Sequence, residues 1–188
     1  MSFNDRTVQT CVFGEQLLDK LIRQQEFVPY YPEKGVAHPF DRLIASRDKR
    51  RLAIVEIKTK CRRVAYPDTG INLSHYRDYF HITAQYSVPL FLAFVDAKLG
   101  QMYGGWFHDL IKTREPSVRA QLAGCKSYPW TCNGIVYFPL SAMRVLYALT
   151  REEREALWPL RQTMWIDGEK DYEWVGDGPS PQGDGSFL

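Results

Sequence analysis

Two short apolar runs, Phe40-Asp41-Arg42-Leu43-Ile44-Ala45 and Leu52-Ala53-Ile54-Val55-Glu56-Ile57-Lys58, flank the polar stretch Ser46-Arg47-Asp48-Lys49-Arg50-Arg51. The pattern predicts two buried strands joined by a charged turn. A tight turn centred on Asp48-Lys49 pairs Asp41 with Glu56 across the antiparallel ladder; a bulge or longer loop would shift that register by one. Lys58 lies two residues past Glu56 and shares its face. Leu43 and Ile54, between the charges on that face, are apolar. Ionised residues inside such strands need a partner or a metal.

Upstream, Asp5 to Glu26 has helical periodicity, with an apolar stripe of Val8, Cys11, Val12, Leu18 and Ile22 and a limit at Pro29. Glu15 falls within that stripe, where a carboxylate needs a partner. Gly14 beside it lets the helix pack closely on a sheet. Downstream, Pro67-Asp68-Thr69-Gly70 predicts a turn and Asn72 to Tyr86 a helix with Leu73, Tyr76, Phe80 and Thr83 along one side. Val88 to Val95 is an apolar run suited to a strand buried on both faces. Gln101 to Phe107 predicts a further strand, as does Ile135 to Phe138. A helix is expected from Pro139 through Leu149, and Thr150-Arg151-Glu152-Glu153 fits a capping box for a last helix near Leu157.

Asp41 and Glu56, directly opposed, place two carboxylates within roughly 5 Å at their Cβ atoms. They repel unless a proton or cation lies between them. A hard divalent cation such as Mg²⁺ suits an all-oxygen pair, with Lys58 beside it as a cationic, proton-donating group. Pro39-Phe40-Asp41 followed by Glu56-Ile57-Lys58 resembles the motif of the PD-(D/E)XK nuclease superfamily, with Phe40 inserted between the proline and the aspartate.

That resemblance covers roughly residues 8–107. It implies an α/β fold of restriction-endonuclease-like type, a mixed central sheet flanked by helices, with extra C-terminal helices. It also implies Mg²⁺-dependent hydrolysis of phosphodiester bonds in DNA, with Mn²⁺ as a substitute. Asp41 and Glu56 would hold the metal, with the Ile57 main-chain carbonyl as a further ligand. Lys58 would orient water or offset charge, and Glu15, at the place where relatives carry a first-helix glutamate, would reach the metal directly or through water. Relatives also carry a polar residue on the following helix; His75, Tyr76 and Gln85 are candidates. A QxxxY pattern is absent, since Pro89 follows Gln85 by four.

Charge sharpens the picture. Asp167 onward holds six acidic residues and one basic, a net of −5, so of the overall +2 the body 1–166 carries +7. Arg42, Arg47, Lys49, Arg50, Arg51, Lys60, Arg62 and Arg63 lie near the strand motif in sequence and are the expected DNA-binding residues. The domain reading is therefore 1–166 for the nuclease-like body and 167–188 for an acidic tail rich in Gly and Pro.

Tyr and Trp are plentiful, at 11 and 5, and serve a core or base stacking equally well. Cys11, Cys61, Cys125 and Cys132 lack zinc-ligand or iron–sulfur spacing and are expected reduced; His38, His75, His81 and His108 show no ligand pattern. With no membrane-length apolar run and no secretory signal, a cytoplasmic protein is expected. A homodimer and a protein partner are both compatible with the sequence. The alternative function keeps the fold without turnover, as a nucleic-acid- or protein-binding factor of phage or mobile-element type.

Overall fold

The computed structural model describes residues 3–33, 38–63, 67–112, 130–132 and 134–163. The chain opens with helix α1 (Phe3–Gln24) and continues through β1 (Val28–Tyr30), β2 (Arg42–Ala45), β3 (Leu52–Thr59) and β4 (Asp68–Asn72). Next come α2 (Leu73–Tyr86), β5 (Leu90–Asp96), β6 (Gln101–Trp106), α3 (Phe107–Leu110) and β7 (Trp130–Cys132). Strands β8 (Ile135–Pro139) and β9 (Arg144–Ala148) and helix α4 (Arg151–Leu157) complete it, with a 3₁₀ turn at Trp158–Thr163.

Six strands form a mixed sheet in the order β1-β2-β3-β5-β6-β9; β3 and β5 run parallel and every other neighbour antiparallel. The parallel step exists because α2 and β4 intervene between β3 and β5, as a crossover connection requires. A separate three-stranded sheet, β4-β8-β7, stands beside it. The α/β class with a mixed sheet and flanking helices is the expected one.

Each face of the large sheet carries its own core. Leu17, Leu18, Leu21 and Ile22 of α1 pack with Ile44, Val55, Ile57, Phe91 and Val95. On the other face Tyr79 and Ile82 of α2 meet Ile54, Leu92, Phe94, Phe107 and Phe138. Alternation along β3 explains the split: Val55 and Ile57 point to α1, Ile54 to α2.

Several expectations change. The buried face of α1 is Thr10, Gly14, Leu17, Leu18, Leu21 and Ile22, whereas Val8 and Val12 are 61% and 46% exposed. A Cβ on Gly14 would collide with Thr59 Oγ1, so the helix seats where its glycine meets the strand. Thr59 Oγ1 also donates to the Thr10 carbonyl at 3.1 Å. The segment expected to turn at Pro67–Gly70 is instead the start of β4, paired with β8 from Asp68↔Pro139 to Asn72↔Ile135. The segment expected as a helix over 139–149 is a short 3₁₀ turn followed by β9, which pairs with β6. On α2 the buried residues are Tyr79 and Ile82, and Phe80 is exposed. The capping box is present: Thr150 Oγ1 accepts from the Glu153 N–H and the Glu153 carboxylate from the Thr150 N–H. The expected tail, 167–188, lies outside the described residues. Among the described residues no helix is long and apolar enough to cross a membrane.

Candidate active site

The β2–β3 ladder has the expected register, with Arg42↔Val55, Leu43↔Ile54 and Ala45↔Leu52. The turn is longer than two residues: Ser46 N–H donates to the Arg51 carbonyl, and Lys49, with φ 57°, reverses the chain. Because the loop closes symmetrically, it preserves the register. Asp41 lies one position before β2, opposite Glu56.

Asp41 Oδ2 accepts a hydrogen bond from the Ile57 N–H at 2.8 Å. Burial raises its pKa from 3.8 to about 6; the neighbouring Glu56 charge adds to the rise, against the opposing Ile57 hydrogen bond and Lys58. Glu56 is buried. Its Oε1 accepts from Lys58 Nζ and, at 2.6 Å, from the Tyr79 hydroxyl of α2. Its Oε2 is buried and takes no hydrogen bond. Tyr79 is pushed to a higher pKa by burial and by Glu56, and therefore acts as a donor throughout the neutral range.

A pocket of about 160 Å³ opens where α1 crosses the end of β3. Its lining includes Cys11, Glu15, Asp41, Ile57, Lys58 and Lys60. Lys60 is half-buried, and its pKa falls to about 8, first through burial and then through Lys58. His75 of α2 is also held below its ordinary value by burial, with Lys58 and Lys60 contributing. Burial raises the Cys11 thiol.

The residues present fit a hard divalent cation. The Glu56 carboxylate stands close enough to raise the cost of ionising Asp41, and one buried carboxylate oxygen has no donor. Among the described residues no three His, Cys, Asp or Glu side chains gather as a metal-holding group. A cation here would rely on the two carboxylates with main-chain oxygen and water, the mixture Mg²⁺ tolerates.

Glu15 reaches the pocket, but its Oε2 accepts from Arg42 Nη2 at 3.0 Å. Arg42, expected at a nucleic-acid surface, is instead buried. It donates to both oxygens of Asp19 and to the Asp41 carbonyl, and lies over the Tyr31 ring. Burial opposes its charge, but the hydrogen bonds and negative charges of Asp19 and Glu15 together outweigh this and hold its pKa above the ordinary value. Arg63 is likewise withdrawn: fully buried, it forks onto Asp68 and stacks on Tyr137. Both guanidiniums are committed to carboxylates inside the fold. Arg62 is partly buried, and its N–H donates to the buried Asp96 carboxylate at 2.8 Å.

Arg47, Lys49, Arg50 and Arg51 are exposed on the turn. Arg47 pairs with Glu26 at 3.5 Å, and Arg51 lies over Phe27. They occupy the far end of the hairpin. Five residues of extended chain separate Asp41 from Ser46, roughly 17 Å. Nearness in sequence thus overstates their nearness to the pocket.

The α2 side chain that hydrogen-bonds within the site is Tyr79, which the sequence does not single out; of the candidates His75, Tyr76 and Gln85, His75 lies near enough for the Lys58 and Lys60 charges to lower its pKa. Helical spacing holds the signal: Tyr79 lies three past Tyr76 and three before Ile82, on the face that meets the sheet. His38, near Asp41 in sequence, is exposed and contacts the Glu33 carbonyl at 3.1 Å.

No protein-family model matches the chain, and no curated protein sequence matches it. Among solved structures it is similar to Hjc of Archaeoglobus fulgidus, a Holliday junction resolvase from an archaeal hyperthermophile. That match has 9% identity and a TM-score of 0.45, over 69% of this chain and 88% of the other. It is also similar to a nuclease from a fusellovirus, at 15% identity and a TM-score of 0.41, over 79% of this chain and 88% of the other.

Proposed function

We propose that the pocket is the active centre of a metal-dependent nuclease that hydrolyses phosphodiester bonds in DNA. The observation that carries this reading is the Asp41–Glu56 pair held across one ladder, with Lys58 on the same face. Asp41 is clamped by the Ile57 N–H, and Glu56 keeps one buried oxygen without a donor. The strand–turn–strand order and the E-I-K sequence also match the PD-(D/E)XK resemblance.

Asp41 and Glu56 would hold Mg²⁺ or Mn²⁺, with the Ile57 carbonyl as a further oxygen. The cation supplies Lewis acidity and lowers the pKa of bound water. Lys58 offers positive charge and a proton where charge grows on the phosphate oxygens as water adds to phosphorus and the ester bond breaks. Tyr79 fixes the Glu56 carboxylate by holding Oε1, and Oε2 is left without a hydrogen bond and would be the oxygen that meets the cation. Glu15, tied to Arg42, adds negative charge at the rim and acts through water.

Exposed Arg47, Lys49, Arg50 and Arg51 would meet phosphates remote from the reacting one. Measured along a duplex axis, at about 3.4 Å rise per base pair, their roughly 17 Å offset spans about five base pairs. The test is a cleavage panel of single-stranded, duplex, branched and RNA substrates with Mg²⁺, Mn²⁺ or excess chelator. Metal-dependent cleavage of DNA supports the reading. No cleavage of any DNA under any metal overturns it.

A further inference from the structure

The pocket holds two lysines that are not equivalent. Lys58 is committed: its Nζ donates to Glu56 Oε1 and lies 5.9 Å from the centre of the Tyr79 ring. Lys60, just past the end of β3, lines the same pocket. Among the described residues no carboxylate lies within ion-pairing distance of it. A half-buried ammonium without a counter-ion is costly. Its persistence at the wall of a pocket that opens to solvent points to an anion that arrives from outside.

Spacing identifies the anion's place. Lys58 and Lys60 are two residues apart on extended chain, roughly 6.6 Å. That matches the separation of neighbouring phosphates along one nucleic-acid strand. Resting on the nuclease reading above, we propose that Lys60 grips the phosphate adjacent to the reacting one and so sets the position of the strand in the pocket.

The grip is coupled to a proton. With its pKa near 8 in the free protein, Lys60 is partly neutral in mildly alkaline solution. A bound phosphate stabilises the charged form, so binding takes up a proton as pH rises through about 8. The charged and titratable groups that line the pocket with Lys60 are Lys58 on β3, Cys11 and Glu15 on α1 and Asp41 before β2, and His75 on α2 lies close enough to feel the Lys58 and Lys60 charges. An arginine at position 60 stays charged throughout and removes the coupling.

The test measures cleavage of a short DNA duplex with Mg²⁺ by wild type, Lys60→Met and Lys60→Arg, from pH 7 to 9. Binding of the same duplex with Ca²⁺ is followed over a salt series. With one phosphate no longer gripped, Lys60→Met should show a KM about tenfold higher at pH 7, kcat within about threefold, and a salt slope lower by about one. Lys60→Arg should restore KM and flatten its rise between pH 7 and 9. Wild-type KM and salt slope in Lys60→Met overturn the grip. A collapse of kcat with unchanged KM also overturns it, since Lys60 would then act in the chemical step. Wild type that neither binds nor cleaves DNA overturns the nuclease reading itself and the grip with it, a result distinct from the other two.

Discussion

Asp41 and Ile57 are joined by a 2.8 Å hydrogen bond in which the main-chain N–H of β3 holds the Asp41 side chain. This bond fixes an acid at the mouth of the pocket, opposite Glu56. It also lowers the cost of burying that acid's charge without cancelling it. Asp41 still titrates near 6, because burial and then the Glu56 charge outweigh the Ile57 bond and Lys58.

Stability should therefore depend on pH through Asp41. A carboxyl whose pKa is raised in the folded state favours folding while it is protonated. The metal-free protein should lose stability as pH climbs from about 4 to about 6, by on the order of 2 kcal/mol. Asp41→Asn should remove most of that slope. Urea unfolding in chelator at several pH values measures it; an equal slope in both proteins would remove Asp41 from the buried acid pair.

Lys58 and the turn arginines should separate chemistry from binding. Lys58→Ala should abolish turnover and leave DNA affinity nearly intact. Arg50→Ala with Arg51→Ala should weaken binding and lower its salt slope by about one for each phosphate these side chains neutralise. If Lys58→Ala behaves like the turn variants, Lys58 neutralises a phosphate and does no more.

Arg42 and Arg63 should behave as structural residues. Each is buried against carboxylates. Replacing Arg63 with Met leaves Asp68 charged and fully buried, at a cost of about 3–5 kcal/mol. Arg42→Met should cost less, because Asp19 and Glu15 are partly exposed. Chemical denaturation reads the loss; a variant of normal stability with weakened DNA binding would return either arginine to the substrate surface.

Tyr79→Phe keeps the ring and removes the donor to Glu56 Oε1. Loss of a group that orients a metal-holding carboxylate typically costs about 10–100-fold in metal affinity or activity. The Mg²⁺ concentration for half-maximal cleavage should rise by at least about tenfold. Glu15→Gln should have a smaller effect, since Glu15 is 37% exposed and tied to Arg42. An unchanged metal requirement in Tyr79→Phe would leave that hydroxyl a purely structural partner.

The hairpin is legible in the sequence because period-2 alternation and the two charges on one face demand a single register, and the longer loop conserves it. Gly14 is legible as a packing position because close approach needs a missing Cβ. Strand β4 is not, because Pro67, Asp68 and Gly70 carry turn chemistry. Tertiary structure overrides it: Asp68 is held by Arg63, and Gly70 lies against Val136 and Tyr137, where a Cβ has no room. Strand β9 is hidden for a related reason. Met143, Leu146 and Tyr147 follow helical spacing, and only pairing with β6 decides for a strand. The buried arginines are illegible because charge in sequence does not say which side chains the fold will neutralise internally. Arg42 meets Asp19 and Glu15 only once α1 is laid across the hairpin.

The most direct measurement is Mg²⁺-dependent cleavage of DNA by wild type, Asp41→Asn and Glu56→Gln, each with folding verified by thermal melting. We predict that wild type cleaves, that excess chelator stops it, and that each variant loses at least about a hundredfold in rate, in keeping with the charge stabilisation such a centre supplies. Cleavage that persists in chelator, or that proceeds at wild-type rate in both folded variants, would contradict a metal-dependent centre built on Asp41 and Glu56.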